Sequence, residues 1–105
     1  MLEVDLAEKL IEKLGECTNY NINIMNEKGI IIASKDRSRI GTFHEIAYRI
    51  IEEQLEFLEV DNENTFLGVK TGINMALKYK KDIIGVIGLT GEIKEIKPIA
   101  LIIKK

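Results

Sequence analysis

Between Ser34 and Glu45 the chain reads Ser-Lys-Asp-Arg-Ser-Arg-Ile-Gly-Thr-Phe-His-Glu, which gathers two arginines and the sole histidine into a dozen residues. Thr42 followed three residues later by Glu45 matches a capping box and predicts a helix N-terminus at Thr42. The unpaired N–H groups of that first turn would face back towards Arg37, Arg39 and Gly41. Guanidinium groups beside a helix N-terminus suit a small anion such as a carboxylate. An exposed loop with two solvated arginines ahead of a capped helix fits the same letters. On the anion reading, Arg39 offers a two-pronged grip on a carboxylate, with Arg37 as its alternate. The amides of Gly41, Thr42 and Phe43 would cradle the same group. His44, in the first helical turn, would donate to a carboxylate or hydroxyl; a lone histidine equally fills a structural or surface role.

Further along, Asn74 interrupts an apolar segment, so its amide needs a partner, either backbone or a ligand hydroxyl. Gly88 lies in the run Ile83-Ile84-Gly85-Val86-Ile87-Gly88-Leu89. Glycines there admit a ligand, the Arg39 loop, or a closely packed helix. Ser34 and Thr90 fall at strand ends, where ligand contacts and turn bonds are both available. Asn21 and Asn23 are expected to face outward or bond across strands, outside any pocket.

The elements that must hold these groups follow from hydrophobic spacing. Leu2, Leu6, Leu10, Ile11 and Leu14 mark an amphipathic helix ending near Gly15. Asn21 to Ile24 alternates polar and apolar, as in a strand with one buried face, and Asn26-Glu27-Lys28-Gly29 is turn chemistry. Ile30 to Ala33 is the return strand of that hairpin. A second helix is predicted from Thr42 to about Gln54, with Phe43, Ile46, Ala47, Ile50 and Ile51 on its apolar side. Short strands are predicted at Phe57–Val60 and Phe66–Lys70, separated by a polar loop, Asp61–Asn64. Ile73–Tyr79 and Ile83–Leu89 flank Lys80-Lys81-Asp82 as a second hairpin. The strand from Ile83, apolar on both faces, belongs at the centre of the sheet. Tyr79 and Lys78, Lys80 and Lys81 form its solvated end. Pro98 is expected to open a short terminal helix through Ile102. The order predicts an α+β domain, an antiparallel sheet with helices mainly on one face.

Composition narrows the function classes. At 105 residues the chain makes one domain, and 46% hydrophobic with 30% charged residues is ordinary for a folded one. A net charge of −2 gives no electrostatic reason to expect a nucleic-acid surface. The single cysteine, Cys17, cannot form an internal disulfide or a cysteine metal cluster, and is expected to pack as a small hydrophobe. No cofactor is implied. Charged residues interrupt the apolar positions of the first helix, so neither a signal peptide nor a membrane span is expected, and the location expected is cytoplasmic. One histidine, one cysteine and no motif of paired carboxylates leave catalysis little to work with.

Three segments taken in order carry a resemblance. They are Asn21–Ser34, then Asp36-Arg37-Ser38-Arg39-Ile40-Gly41-Thr42-Phe43-His44-Glu45, then Gly72-Ile73-Asn74-Met75-Ala76-Leu77 with Gly85-Val86-Ile87-Gly88-Leu89-Thr90-Gly91. Together they resemble the sugar diacid recognition domain at the N-terminus of carbohydrate diacid regulators, over about Leu6 to Gly91. The resemblance implies a PAS-like sensor fold binding small sugar acids such as glucarate, galactarate or glycerate. It implies a bacterial transcriptional activator whose DNA-binding part lies outside this chain, so that residues 1–105 form the input domain of a longer regulator. A homodimer is expected, the leucines of the first helix serving as interface or core. The residues implied as ligand-binding are Ser34, Arg37, Arg39, Ile40, Gly41, Thr42, Phe43, His44, Asn74 and Gly88. The alternative is a dimerisation or partner-binding module without a small ligand. The family usually has proline where this sequence has Ala76, which bears on pocket shape and ligand preference.

Overall fold

The computed structural model describes residues 2–61 and 67–104. Its elements, in chain order, are α1 (Val4–Gly15), β1 (Asn21–Met25), β2 (Ile31–Ser34), a 3₁₀ turn (Arg37–Arg39), α2 (Glu45–Glu53), β3 (Phe57–Val60), β4 (Gly72–Tyr79), β5 (Asp82–Thr90) and α3 (Ile93–Lys104). The strands form one antiparallel sheet in the order β2-β1-β5-β4-β3, so β5 lies at the centre, as its two-sided apolar sequence predicts.

Side-chain alternation divides the sheet into two chemically distinct faces. On one, Ile22, Ile24, Ala33, Ile73, Met75, Ile87 and Leu89 pack beneath α1 and α3, against Leu2, Ala7, Ile11, Ile96 and Ala100. On the other, Met25, Ile31, Val60 and Val86 pack beneath Ile46, Ala47 and Ile50 of α2, together with Val69. Two helices therefore share one face, and the third covers the opposite one. A nine-residue helix such as α2 is marginal alone. Burial of each isoleucine stabilises it by roughly 1.5–3 kcal/mol, and that burial, not intrinsic propensity, maintains α2.

Several expectations are corrected. Leu6 is exposed, because the inward stripe of α1 runs through Ala7 and Ile11 instead. Cys17 is exposed just beyond the end of α1 rather than packed. Of the two roles expected for Asn23, facing outward is excluded by its burial, and bonding across strands holds, through Ser34 Oγ. Strand β2 is shifted by one residue from its predicted start; Ile30 instead forms an isolated bridge with Phe43. Residues 67–70 form a turn and irregular chain in place of the predicted strand, with Gly68 at φ +70°. Phe66 and the loop residues 62–64 lie outside the described residues. Pro98 falls inside α3 instead of opening it. The apolar spacing Ile93, Ile96, Ile99, Ala100, Ile103 continues through the proline, and its packing outweighs the lost backbone bond.

Candidate functional site

Strand register places Ser34, Asn23, Gly88, Asn74 and Leu58 in one row across the α2 side of the sheet. The neighbouring row, Met25, Val86 and Ala76, is apolar and contributes to the core beneath α2. The row on the other side holds Asn21, Thr90 and Gly72. This face thus changes from hydrocarbon to hydrogen-bonding groups along its length.

Two of the buried polar side chains in that row differ sharply. Asn23, 1% exposed, is engaged: its Oδ1 accepts from Ser34 Oγ at 2.5 Å and from Asn21 Nδ2 at 3.1 Å. Asn74, 3% exposed, has no hydrogen-bond partner for its amide among the described residues. The one side-chain polar atom among those residues that is both sealed and unpaired is Glu27 Oε1, so the Asn74 amide opens onto accessible space. A buried amide in that state takes its hydrogen bonds from outside the protein, from water or from a bound polar group. Gly88 shapes this arrangement. A Cβ there would come within 2.6 Å of Asn74 Oδ1 and 3.2 Å of Met25 Cε, so the space the glycine leaves is filled by the asparagine.

Beside the polar row stands the arginine turn. Asp36 N donates to Asn21 Oδ1 at 2.8 Å and to Ser34 Oγ at 3.0 Å. Asp36 Oδ1 accepts from Ser38 N and Ser38 Oγ, and these bonds chiefly hold its carboxyl below the usual range, with Lys70 and Arg39 assisting against desolvation. Arg39 N donates to Asp36 O, and Arg39 O accepts from Thr42 N and Thr42 Oγ1. The Arg39 guanidinium, half-buried, donates from Nη2 to Gly68 O at 2.7 Å. Burial works against its charge, while Asp36 supports it. Gly68 is packed on the chain ahead of α2, where a Cβ would lie 2.0 Å from Phe43 O, so its positive φ and close approach both require glycine.

His44 proves to be the N-cap of α2, preceding the first turn, with Nδ1 accepting from Ala47 N at 3.1 Å. Desolvation, reinforced by the Arg39 charge, lowers its pKa to about 4. The ring is therefore neutral near pH 7. With Nδ1 an acceptor, the proton resides on Nε2, which has no hydrogen-bond partner among the described residues. The capping box predicted for Thr42 and Glu45 does not form. Thr42 Oγ1 turns to Arg39 O, and Glu45 Oε1 accepts from Leu67 N while Glu45 N donates to Leu67 O. Glu45 thus fastens the 67–70 segment beside Arg39.

Of the residues proposed from sequence, Ser34, Gly88 and Asn74 share the polar row, while Arg39 and His44 adjoin one another around Gly68. Arg37 joins neither group. It is exposed and pairs with Glu8 of α1 at 3.0 Å. Gly41 and Thr42 are exposed, and their amides are engaged by Ile31 O and Arg39 O, which removes two of the three donors of the predicted cradle. Phe43 is half-buried with its ring tilted against Tyr48, and Ile40 packs on the core beneath α2. Asn21, Asn23, Asp36 and Gly68 were not among the proposed residues. The signal for the two asparagines is their i, i+2 spacing, which sets both on the face opposite Ile22 and Ile24. Ala76 N donates to Glu56 O at 2.8 Å, a backbone bond that a proline at this position could not make. Elsewhere, a cleft of about 470 Å³ is lined by Glu59, Asp61, Thr71, Glu92, Ile93 and Lys94; its acidic lining disfavours an anionic ligand.

Comparison with known proteins gives the family. The family described as "Putative sugar diacid recognition" matches residues 2–105. The carbohydrate diacid regulator of Escherichia coli (strain K12) is 38% identical over 93 residues, covering 87% of this chain and 24% of that protein. The uncharacterized protein YsfB of Bacillus subtilis (strain 168) is 36% identical over 101 residues, covering 95% of this chain and 27% of its own length. An uncharacterized Haemophilus influenzae protein is 28% identical over 101 residues, with 93% and 27% covered. The chain spans about a quarter of the length of these relatives.

Proposed function

Since the chain belongs to the sugar diacid recognition family, we propose that it is the ligand-binding sensory domain of a bacterial transcriptional regulator, taking sugar diacids or related small hydroxy acids. Glucarate, galactarate and glycerate are the ligands to test. The PAS-like reading of the fold is supported by the five-stranded antiparallel sheet with helices on both faces. DNA contact belongs to another part of a longer, cytoplasmic regulator.

The observation that carries this reading is the Asn74 amide, buried yet without a hydrogen-bond partner among the described residues, in the same polar row whose Ser34 holds the arginine turn. Arg39 supplies the positive charge for a carboxylate; Asn74 and the neutral His44 Nε2–H supply uncharged hydrogen bonds for hydroxyls. Binding without chemistry is the economical use of such a set. Ligand bridging the Arg39 turn, the start of α2 and the central strand would favour one arrangement of the terminal helices, to the extent that it binds that arrangement more tightly.

Thermal unfolding in the presence of each acid tests the site. Binding to the folded state raises Tm with concentration, equivalent to about 2.7 kcal/mol at one hundred times Kd. Arg39→Ala and Asn74→Ala are each expected to remove that shift, measured against each variant's own apo Tm, which for Asn74→Ala falls because a buried side chain is lost. A retained shift in both variants would overturn the assignment.

The exposed apolar residues Val4, Leu6, Leu101 and Ile102 on the terminal helices favour a second, compatible reading, in which the domain also forms a homodimer.

A further inference from the structure

We propose that Asn21, on β1, is the residue that positions Arg39 for ligand; this rests on the reading of Arg39 as the carboxylate anchor. Asn21 spans two structures with one amide. Its Nδ2 donates to Asn23 Oδ1 on the sheet at 3.1 Å, and its Oδ1 accepts from Asp36 N in the arginine turn at 2.8 Å. Both ends of the amide are therefore used, which fixes its orientation as well as its place.

The contrast with Ser34 shows why Asn21 has this role. Ser34 Oγ also accepts from Asp36 N, but the two are separated by a single residue, so that bond shapes the turn without placing it over the sheet. Asn21 reaches the same N–H from fifteen residues away, on a different strand. Lys35 N fixes the end of β2 on Ile22 O at 3.1 Å, and Asn21 carries that hold one residue further, into the turn itself. Asn23 beneath it is 1% exposed and Ser34 is fully buried, which makes the support rigid.

From Asp36 the constraint continues to the guanidinium. Asp36 O accepts from Arg39 N, Asp36 Oδ1 caps Ser38 N, and both Thr42 N and Thr42 Oγ1 hold Arg39 O. The backbone of Arg39 is thus fixed on both sides, and its side chain lands on Gly68 O at 2.7 Å. An arginine otherwise loses much rotamer freedom when it grips a carboxylate. Here that ordering precedes binding, and preorganisation of this kind acts on affinity without adding a ligand contact.

The test combines calorimetric titration of glucarate, galactarate and glycerate with NMR of the Arg39 Nε–Hε group, using Arg49 as the reference arginine. In the wild type without ligand, Arg39 Nε–Hε is expected to be ordered and slow to exchange with water. Asn21→Ala is expected to weaken binding about tenfold and to mobilise Arg39 while the Arg49 signal stays unchanged. Asn21→Ser, whose hydroxyl is too short to span both partners, should act in the same direction if the alanine variant fails to fold. Wild-type affinity in these variants, or an Arg39 group that stays ordered, overturns the proposal. A wild-type protein that binds none of the three acids overturns the ligand reading instead, and the NMR comparison then decides alone whether Asn21 positions Arg39.

Discussion

His44 shows how one side chain ties stability to pH. In the fold its Nδ1 is an acceptor at the start of α2 and the ring is buried, so protonation is held off until about pH 4, against 6.5 for a free histidine. A base whose folded pKa lies below its unfolded value binds more protons when unfolded. Stability is accordingly full above pH 6.5 and declines as pH falls towards 4. The shift corresponds to about 3 kcal/mol over that window. Urea unfolding at pH 7 and pH 4.5 should show a larger loss for the wild type than for His44→Asn, which keeps a capping oxygen and does not titrate. Equal losses would mean that the ring is not held neutral.

Elements were legible wherever a single local signal governed them, and misplaced wherever tertiary contacts outweighed one. Strand β3 matches its predicted bounds, and Lys80 and Lys81 form the turn between β4 and β5. The start of α2 departs from the capping spacing of Thr42 and Glu45 because Glu45 is engaged by Leu67, and His44, an uncommon cap, closes the helix two residues further on. No local pattern announces a partner in a distant turn. The pairing of candidate residues was legible in part: Asn74 and Gly88 face each other across β4 and β5, and Arg39 and His44 both adjoin Gly68. The separation of Arg37 from Arg39 was not, because it depends on Glu8 of α1 lying on the other side of the turn. Proline 98 tests the same balance within α3. Its ring leaves Lys94 O without the usual helical donor, so Pro98→Ala is expected to stabilise the domain by roughly 1–3 kcal/mol in chemical unfolding. An unchanged midpoint would show that the helix has already relaxed around the ring.

At the scale of the whole molecule, no helix among the described residues is long and apolar enough to cross a membrane. Leu6 (51% exposed) lies on α1 and Ile102 (69% exposed) on α3. If these surfaces join two copies, Leu6→Asp should lower the sedimentation mass from dimer to monomer without altering the sugar-acid response, because Leu6 is exposed on α1 while the polar row lies on the face that α2 covers. A monomeric wild type would remove the dimer reading. The last strand in the chain occupies the middle of the sheet, with Asn21 opposite Thr90 on one side and Gly72 opposite Thr90 on the other. During synthesis, then, the β1–β2 hairpin leaves the ribosome with its β1 edge unpaired and must wait until residues 82–90 emerge to acquire its neighbour. Closure of this domain is set by its final third, and a truncation ahead of Asp82 leaves two unjoined half-sheets rather than a smaller version of the fold.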